Sequence, residues 1–266
     1  MKTFPTKTIA ENFSKAAKNY DAAAEVQKLA ARKLCEIALP FVKENSQILD
    51  LGSGTSFLAR EFLNHEQFRQ KNVKFYEVDL SLEMLQCWVS RPKENFFAIQ
   101  ADIENLPFQP QSFDLIISSF SLQWLKDFEK TFARIFEILK PNGVFVFCLP
   151  TSGSLFELRE ASLASECNFN FNELPKIENL KSALKKSGFE EKKFVEEVLK
   201  QTFENGSEGL KSLKRIGAGL PTKKRNVVSK TQLKQFNNFC LKNFSADNKS
   251  TRLSWFVPYF ASEKIT

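Results

Sequence analysis

The 266-residue sequence predicts an α/β fold built on a seven-stranded, mostly parallel sheet with helices on both faces. Five apolar, strand-length segments alternate with helix-patterned segments between residues 47 and 149, the order that builds a doubly wound parallel sheet. The first strand runs directly into Gly52-Ser53-Gly54, a turn that carries chain from a strand into a helix. Two further strand-like segments, 189–198 and 252–261, complete the sheet.

Residues 8–38 place Ile9, Phe13, Ala16, Ala17 and Tyr20, then Val26, Leu29, Ala30, Leu34 and Ile37, at helical spacing. Asp21 breaks that run and Pro40 ends it, so two short helices precede the sheet. Strand one is 47–51, and helical spacing resumes over 57–63. Strand two, 73–78, stops at Asp79. Ser81 N-caps a helix reaching residue 89, with Glu83 in its first turn. Strand three, 96–100, ends at Ala101-Asp102. Strand four, 113–118, is nearly all apolar, as burial on both faces requires. A helix over 128–139 is stopped by Pro141-Asn142-Gly143, ahead of strand five at 144–149. A helix near 231–244 lies between the last two strands. The chain thus divides into an N-terminal helical lid (1–43), a core (44–150), and a region of inserted helices with the last two strands (151–266).

Composition narrows the function classes. Apolar residues make up 42% and charged residues 26%, a globular balance rather than a disordered one. The formal charge is +7. Its position is more informative than its size, because residues 200–235 carry nine basic side chains against Glu204 and Glu208 and so account for all of it. A local basic field implies an acidic partner docking at one place, not a wrap of nucleic acid. The five cysteines are scattered without a CxxC pair, which predicts reduced thiols in a cytoplasmic protein and no structural zinc. The N-terminal stretch has no apolar core of a signal peptide, and no run approaches the roughly 18 apolar residues of a membrane helix. The 28 phenylalanines read as core filling.

The chemistry gathers at strand ends, where ligands of such sheets bind. Gly52-Ser53-Gly54 lets backbone pass close to a ligand. A dinucleotide site would want a third glycine where Phe57 stands, so the pyrophosphate fingerprint fails. Asp79, ending strand two, suits the two hydroxyls of a ribose. Asp102 with Ile103, ending strand three, suits the amine and face of an adenine. Asp50 suits an ammonium or an ordered water. Carboxylates without a phosphate-binding cation fit a nucleoside that itself bears a positive charge, and S-adenosylmethionine is such a ligand.

Four segments, Asp50-Leu-Gly-Ser-Gly-Thr55, Val78-Asp79-Leu-Ser-Leu-Glu-Met84, Ala101-Asp102-Ile-Glu-Asn-Leu-Pro-Phe108 and Leu139-Lys-Pro-Asn-Gly143, together resemble the Rossmann-like class I S-adenosylmethionine-dependent methyltransferases over residues 44–150. The resemblance implies cofactor contacts from Asp50, Gly52, Ser53, Gly54, Asp79, Leu80, Met84, Asp102, Ile103 and Ser118, with Gln27 closing from the lid. Ser56 stands where that family usually has a glycine, and its small size implies that the methionine end of the cofactor still fits. The Pro-Pro-aromatic motif of amino-group methylases is replaced by Ser118-Ser-Phe-Ser-Leu-Gln-Trp124, the Pro-Cys context of a cytosine-C5 enzyme is absent, and the lone His65 has no metal-site partner pattern.

The flanks carry a narrower resemblance. Phe13-Ser-Lys-Ala-Ala-Lys-Asn-Tyr20-Asp21-Ala-Ala-Ala-Glu25-Val-Gln27, Leu122-Gln123-Trp124, Gly153-Ser-Leu-Phe-Glu-Leu-Arg159-Glu160 and Leu213-Lys-Arg-Ile-Gly217-Ala218 resemble, in that order, the malonyl-ACP O-methyltransferases of biotin synthesis. That family methylates the free carboxylate of a malonyl thioester on acyl carrier protein and so primes pimeloyl assembly. A carboxylate is ionised at neutral pH and needs no general base. The resemblance implies that Tyr20 closes over the site, that Trp124 borders it, and that Arg159, early in a lid helix, orients the malonyl carboxylate without blunting it. The family's occasional lid histidine is replaced by Cys167-Asn-Phe-Asn-Phe171. Acyl carrier proteins are acidic, with a negative helix beside the phosphopantetheine serine, and Lys211, Lys214 and Arg215 share a helix face that suits one. Other readings fit the core motifs: a methyltransferase for a quinone precursor or another carboxylic acid, an assembly factor modifying a protein arginine, or an RNA methyltransferase resting on the basic segment alone.

Overall fold

The computed structural model describes residues 5–219, 228–245 and 249–265. Lys223, Lys224 and Arg225 of the basic segment lie outside the described residues. Two helices come first, α1 (Thr6–Ala23) and α2 (Glu25–Ala38), followed by β1 (Gln47–Leu51), α3 (Phe57–Asn64), the single turn α4 (Glu66–Arg69), β2 (Lys74–Asp79), α5 (Leu82–Gln86), β3 (Phe96–Gln100), β4 (Phe113–Ser119), α6 (Phe128–Ile138) and β5 (Leu139–Cys148). The remainder holds α7 (Phe156–Ala164), α8 (Ile177–Lys186), β6 (Phe189–Phe203), α9 (Gly206–Arg215), α10 (Lys230–Phe244) and β7 (Thr251–Lys264).

The strands form one sheet in the order β3-β2-β1-β4-β5-β7-β6. Strands β1 to β5 pair in parallel, and β7 runs antiparallel to both β5 and β6. Strand order reverses between β1 and β4, the switch point at which such sheets open a crevice.

Alternation along the central strands divides the core into two layers. Leu115 and Ile117 of β4 and Val144, Val146 and Cys148 of β5 face one side, against Val26, Ala30 and Leu34 of α2 and Leu58 and Phe62 of α3. Phe113, Ile116, Phe145 and Phe147 face the other, against Phe132, Ile135 and Ile138 of α6 and Leu180 and Leu184 of α8. Much of the phenylalanine excess is spent here, with Phe147 stacked on Phe260 at 4.8 Å and Phe132 edge-on to Phe145 at 5.4 Å. The edge strand β6 is exposed and charged, which discourages pairing with another chain.

Several boundaries differ from the sequence expectation for identifiable reasons. The break between the first two helices falls at Ala24, not Asp21, whose side chain leaves the helix to bond elsewhere. Helix α5 ends at Gln86 because Arg91 Nη2 donates to the Leu85 carbonyl at 2.8 Å, the acceptor that a further turn would need. Strand β5 begins at Leu139, paired to Phe113, so Pro141-Asn142-Gly143 is an irregularity inside the strand rather than a turn before it. An added Cβ at Gly143 would lie 2.8 Å from the Lys140 carbonyl oxygen, which fixes the glycine. Helices α4 and α8 were not expected.

Candidate active site

A cavity opens over the carboxyl ends of β1, β2 and β4 and is roofed by α1. Strand β1 delivers Asp50 to its floor, 1% exposed and with neither carboxylate oxygen hydrogen-bonded. Burial, then the neighbouring charges of Glu77 and Asp79, push the Asp50 carboxyl well above the ordinary aspartate range. A buried acceptor left unpaired is costly, so this floor is built to receive a donor or a cation.

Behind Asp50 the chain turns through Gly52 and Gly54. The Gly52 and Ser53 amides donate to the Val78 carbonyl at 2.7 and 3.0 Å, which ties the turn to β2. A Cβ on Gly52 would sit 2.3 Å from Ser121 Cβ, so only glycine passes here. Gly54, at φ +57°, is different, because an added Cβ would meet no protein atom within 4 Å. Its open side faces the cavity. Asp79 Oδ2 accepts from the Gly54 amide at 2.9 Å and Oδ1 from the Ser81 amide at 2.8 Å. Burial raises the Asp79 carboxyl and those backbone donors pull it back down. Ser81 caps α5 as expected, accepting from the Met84 amide at 3.2 Å. Asp102 accepts from the Glu104 amide at 2.9 Å and borders the cavity with Ile103, Leu80 and Met84.

Ser118 does not border the cavity, and Ser56 keeps its hydroxyl out of it. Ser118 is fully buried behind the wall, where its hydroxyl donates to the Leu51 carbonyl at 2.7 Å; Ser119 and Ser121 border the cavity instead. Ser56 adopts a left-handed φ of 71° and turns its hydroxyl away, to accept from Arg91 Nη2 at 3.2 Å. Arg91 also pairs with the fully buried Glu77 at 2.6 Å. His65 lies between α3 and α4 and borders neither this cavity nor the next.

Asp21 and Ser14 hold the roof over the cavity, and Thr6, Asn12 and Ala17 add ties to Lys126, Gly219 and Cys87. Asp21 accepts from Thr55 Oγ1 at 2.6 Å and from Arg60 Nη2 at 2.9 Å. Ser14 donates to Glu83 at 2.6 Å and lies 2.8 Å from the Ser81 hydroxyl. Between them, Tyr20 stacks on Phe57 at 5.9 Å, and Phe13 stands edge-on to Trp124 at 5.7 Å. Burial, with Asp79 and Asp21 nearby, raises the Tyr20 phenol above its ordinary value, so at neutral pH it is a donor and not a base.

A second cavity shares Gln27, Phe120 and Trp124 with the first. Arg159, in the first turn of α7, borders it, donating to the Asn172 carbonyl at 2.6 Å with its guanidinium 5.2 Å from the Phe171 ring centroid. Arg159 forms no ion pair among the described residues. The Trp124 and Trp255 indole N–H groups and Gln123 Oε1 are buried on the same walls without partners. This chamber offers two unspent indole donors and the unspent amide oxygens of Gln123 and Asn172 beside a cation in no direct ion pair, chemistry that suits a carboxylate carried on an amide-containing chain.

The structure therefore brings Asp50, Gly52, Ser53, Gly54, Asp79, Leu80, Met84, Asp102, Ile103, Tyr20, Gln27 and Trp124 to the first cavity and Arg159 to the second, which Gln27 and Trp124 also border. Of the basic trio on α9, Lys214 borders the second cavity. Lys211 and Arg215 both pair with Glu208, at 2.7 and 3.2 Å. Sequence reasoning missed Phe13, Phe57, Ser121 and Trp255. Ser121 lies inside the quoted Ser118–Trp124 segment and was within reach, whereas Trp255 lies in β7 and arrives only through the fold.

A family profile described as "Methyltransferase domain" matches residues 49–147. The chain is 30% identical over 266 residues to malonyl-[acyl-carrier protein] O-methyltransferase 2 of Coxiella burnetii, covering 97% of this chain and 96% of that one. It is 31% identical to the biotin biosynthesis bifunctional protein BioHC of Saccharophagus degradans over 85% of its own length, and spans 41% of that longer protein. Among solved structures it resembles the Haemonchus contortus phosphoethanolamine N-methyltransferase 2 in complex with S-adenosyl-L-methionine, with TM-score 0.53, 21% identity, and coverage of 88% of this chain and 52% of that one. At that identity the likeness is one of fold.

Proposed function

The chain belongs to the malonyl-[acyl-carrier protein] O-methyltransferase family, and from that premise we propose that it methylates the free carboxylate of a malonyl thioester on acyl carrier protein, using S-adenosylmethionine, in biotin synthesis. The observation that carries this reading is Arg159, a cation in no direct ion pair among the described residues though Glu173 acts on it from a distance, bordering a cavity that shares walls with the strand-end cavity. A carboxylate substrate answers it.

The residues present fit the cofactor. Asp50 offers two unpaired buried oxygens to a cationic group, and Gly54 leaves open the space that a side chain would fill. In this reading Asp79 meets the ribose, Asp102 and Ile103 meet the adenine, and Met84 and Leu80 pack beside it. When bound, S-adenosylmethionine supplies a methyl group on a positive sulfur. The chain's own work is then positional. Arg159 and the Trp124 indole N–H orient the malonyl carboxylate, while Phe13, Tyr20 and Phe57 exclude water from the space between acceptor and donor. No general base is required, because the acceptor is already ionised at neutral pH. That agrees with a Tyr20 phenol held protonated. With the methyl donor bound, transfer to an ionised carboxylate would leave these residues no proton to place, so their role is to bind, align and exclude water.

The test is transfer of labelled methyl from S-adenosylmethionine to malonyl-ACP. Arg159→Ala is expected to raise KM for the malonyl substrate by roughly 10- to 100-fold, the worth of a charge-assisted pair. Absence of labelled methyl ester with the unmodified protein would overturn the reading. A cytoplasmic setting accords with it, and no helix among the described residues is long and apolar enough to cross a membrane.

A further inference from the structure

We propose that a groove between α1 and α9 binds the phosphodiester of the substrate's prosthetic arm, at a site distinct from the acceptor cavity and adjoining it. The identity of the arm rests on the carboxyl-methylation reading; the anion site rests on the groove itself. Lys15 and Asn19 of α1 face Lys214 and Arg215 of α9 across it, with Asn12 and Gly219 completing the walls. Three of these side chains are cations and none is a carboxylate. Lys15 and Lys214 form no ion pair among the described residues, and Arg215 shares Glu208 with Lys211. A concavity with this lining selects an anion with several oxygens, one that multiple cations and two amides can share.

Its position identifies which anion. Lys214 and Gly219 border both the groove and the acceptor cavity. A Cβ on Gly219 would lie 2.9 Å from Lys214 Cγ, so the glycine lets the lysine stem lie flat along the shared wall. Leu213, Ile216 and Ala218 line the acceptor cavity next to that junction, and Arg159 borders the same cavity. Two cationic stations are thus joined by an uncharged passage. The matching ligand carries a carboxylate at one end, a phosphate ester at the other and a neutral amide chain between, which describes the malonyl-phosphopantetheine arm, a phosphodiester when joined to its carrier serine. Lys15 sits on the roof helix, so occupation of the groove also holds α1 against α9.

Titration of the protein with 4′-phosphopantetheine and with pantetheine tests the site without any methyl transfer. The phosphorylated arm is expected to bind about tenfold more tightly, the worth of one charge-assisted contact beyond solvation. That ratio should fall toward one in Lys15→Ala combined with Arg215→Ala. Lys15→Gln alone, at an exposed helix position, reads the same ratio if the double variant folds poorly. Equal affinity for the two arms in the unmodified protein overturns the proposal, and so does a tenfold preference that survives in both variants. Methyl transfer to malonyl-ACP is read separately: a phosphate preference without any such transfer would fail the carboxyl-methylation reading and leave the groove standing.

Discussion

Asp50 carries the sharpest residue-scale consequence. Glu77 lies beside it in register on β2, Asp79 ends the same strand, and the cation at hand, Arg91, is already committed to Glu77. The unfolded chain ionises this carboxyl near its ordinary value of ~3.9, whereas the fold raises it well above. Folding therefore favours the protonated form, and the cofactor-free protein loses stability as pH rises from the unfolded value through the folded one. A positive ligand selects the carboxylate, so cofactor affinity should increase over the same window and binding should release a proton. Calorimetry in buffers of different ionisation enthalpy measures that proton. Asp50→Asn should bind cofactor without releasing it, and more weakly, while stabilising the free protein at neutral pH by about 1–3 kcal/mol. A variant with unaltered proton release would remove Asp50 from this role. Glu77 is raised as well, but unlike Asp50 it is paired. Burial pushes it up, while the Ser56 hydroxyl and Arg91 pull it back. Arg91→Ala should strip a fully buried carboxylate of its partner and cost about 3–5 kcal/mol, seen as a lower denaturation midpoint. This also explains Ser56. Sequence alone could mark it as a departure from glycine at the cofactor turn, but not that its side chain would serve the Glu77–Arg91 pair behind the turn.

At the scale of the element, α1 is a roof held by a few polar ties over an aromatic underside. Asp21 bonds Thr55 and Arg60 at one end, Ser14 bonds Ser81 and Glu83 near the middle, and Ala24 marks the break from α2. Asp21→Asn with Ser14→Ala should loosen the roof without touching the sheet. The expected outcome is faster proteolytic cleavage within α1 and cofactor affinity weakened by about tenfold, with an unchanged thermal midpoint for the core. Cleavage and affinity equal to those of the unmodified protein would show the ties to be incidental. Elements whose identity rests on local pattern were legible: β1 and β3 fall where alternation and apolar runs put them, and Ser81 caps α5. Elements decided by a distant side chain were not. Arg91 cuts α5 short from outside it, and the pairing of Leu139 with Phe113 extends β5 backward through a proline. Helix α8 was legible in principle, since Ile177, Leu180, Ala183 and Leu184 keep helical spacing, but no strong cap announces it.

For the whole molecule the question is what a net charge of +7 does when it resides in one segment. The sequence could place the charge but not divide it. In the fold, Glu208 draws in Lys211 and Arg215, while Lys214 stands at the junction of groove and acceptor cavity. Of the described cations of α9, Lys214 is thus the one left unpaired at the mouth of the site. Charge placed this way acts mainly on encounter, over distances comparable with the screening length of about 10 Å at 0.1 M salt. Lys214→Glu with Arg215→Glu reverses its sign at the mouth. With the proposed acidic carrier as substrate, kcat/KM should fall by at least about tenfold at low ionic strength. The gap from the unmodified protein should narrow as salt approaches ~1 M, where screening shortens to about 3 Å. Malonyl-pantetheine lacks both the protein and the phosphate and should register a much smaller loss. A deficit of the same size at every salt concentration, or one equal for both substrates, would mean that the reversed charges disturb the acceptor cavity itself, and the steering role would fall.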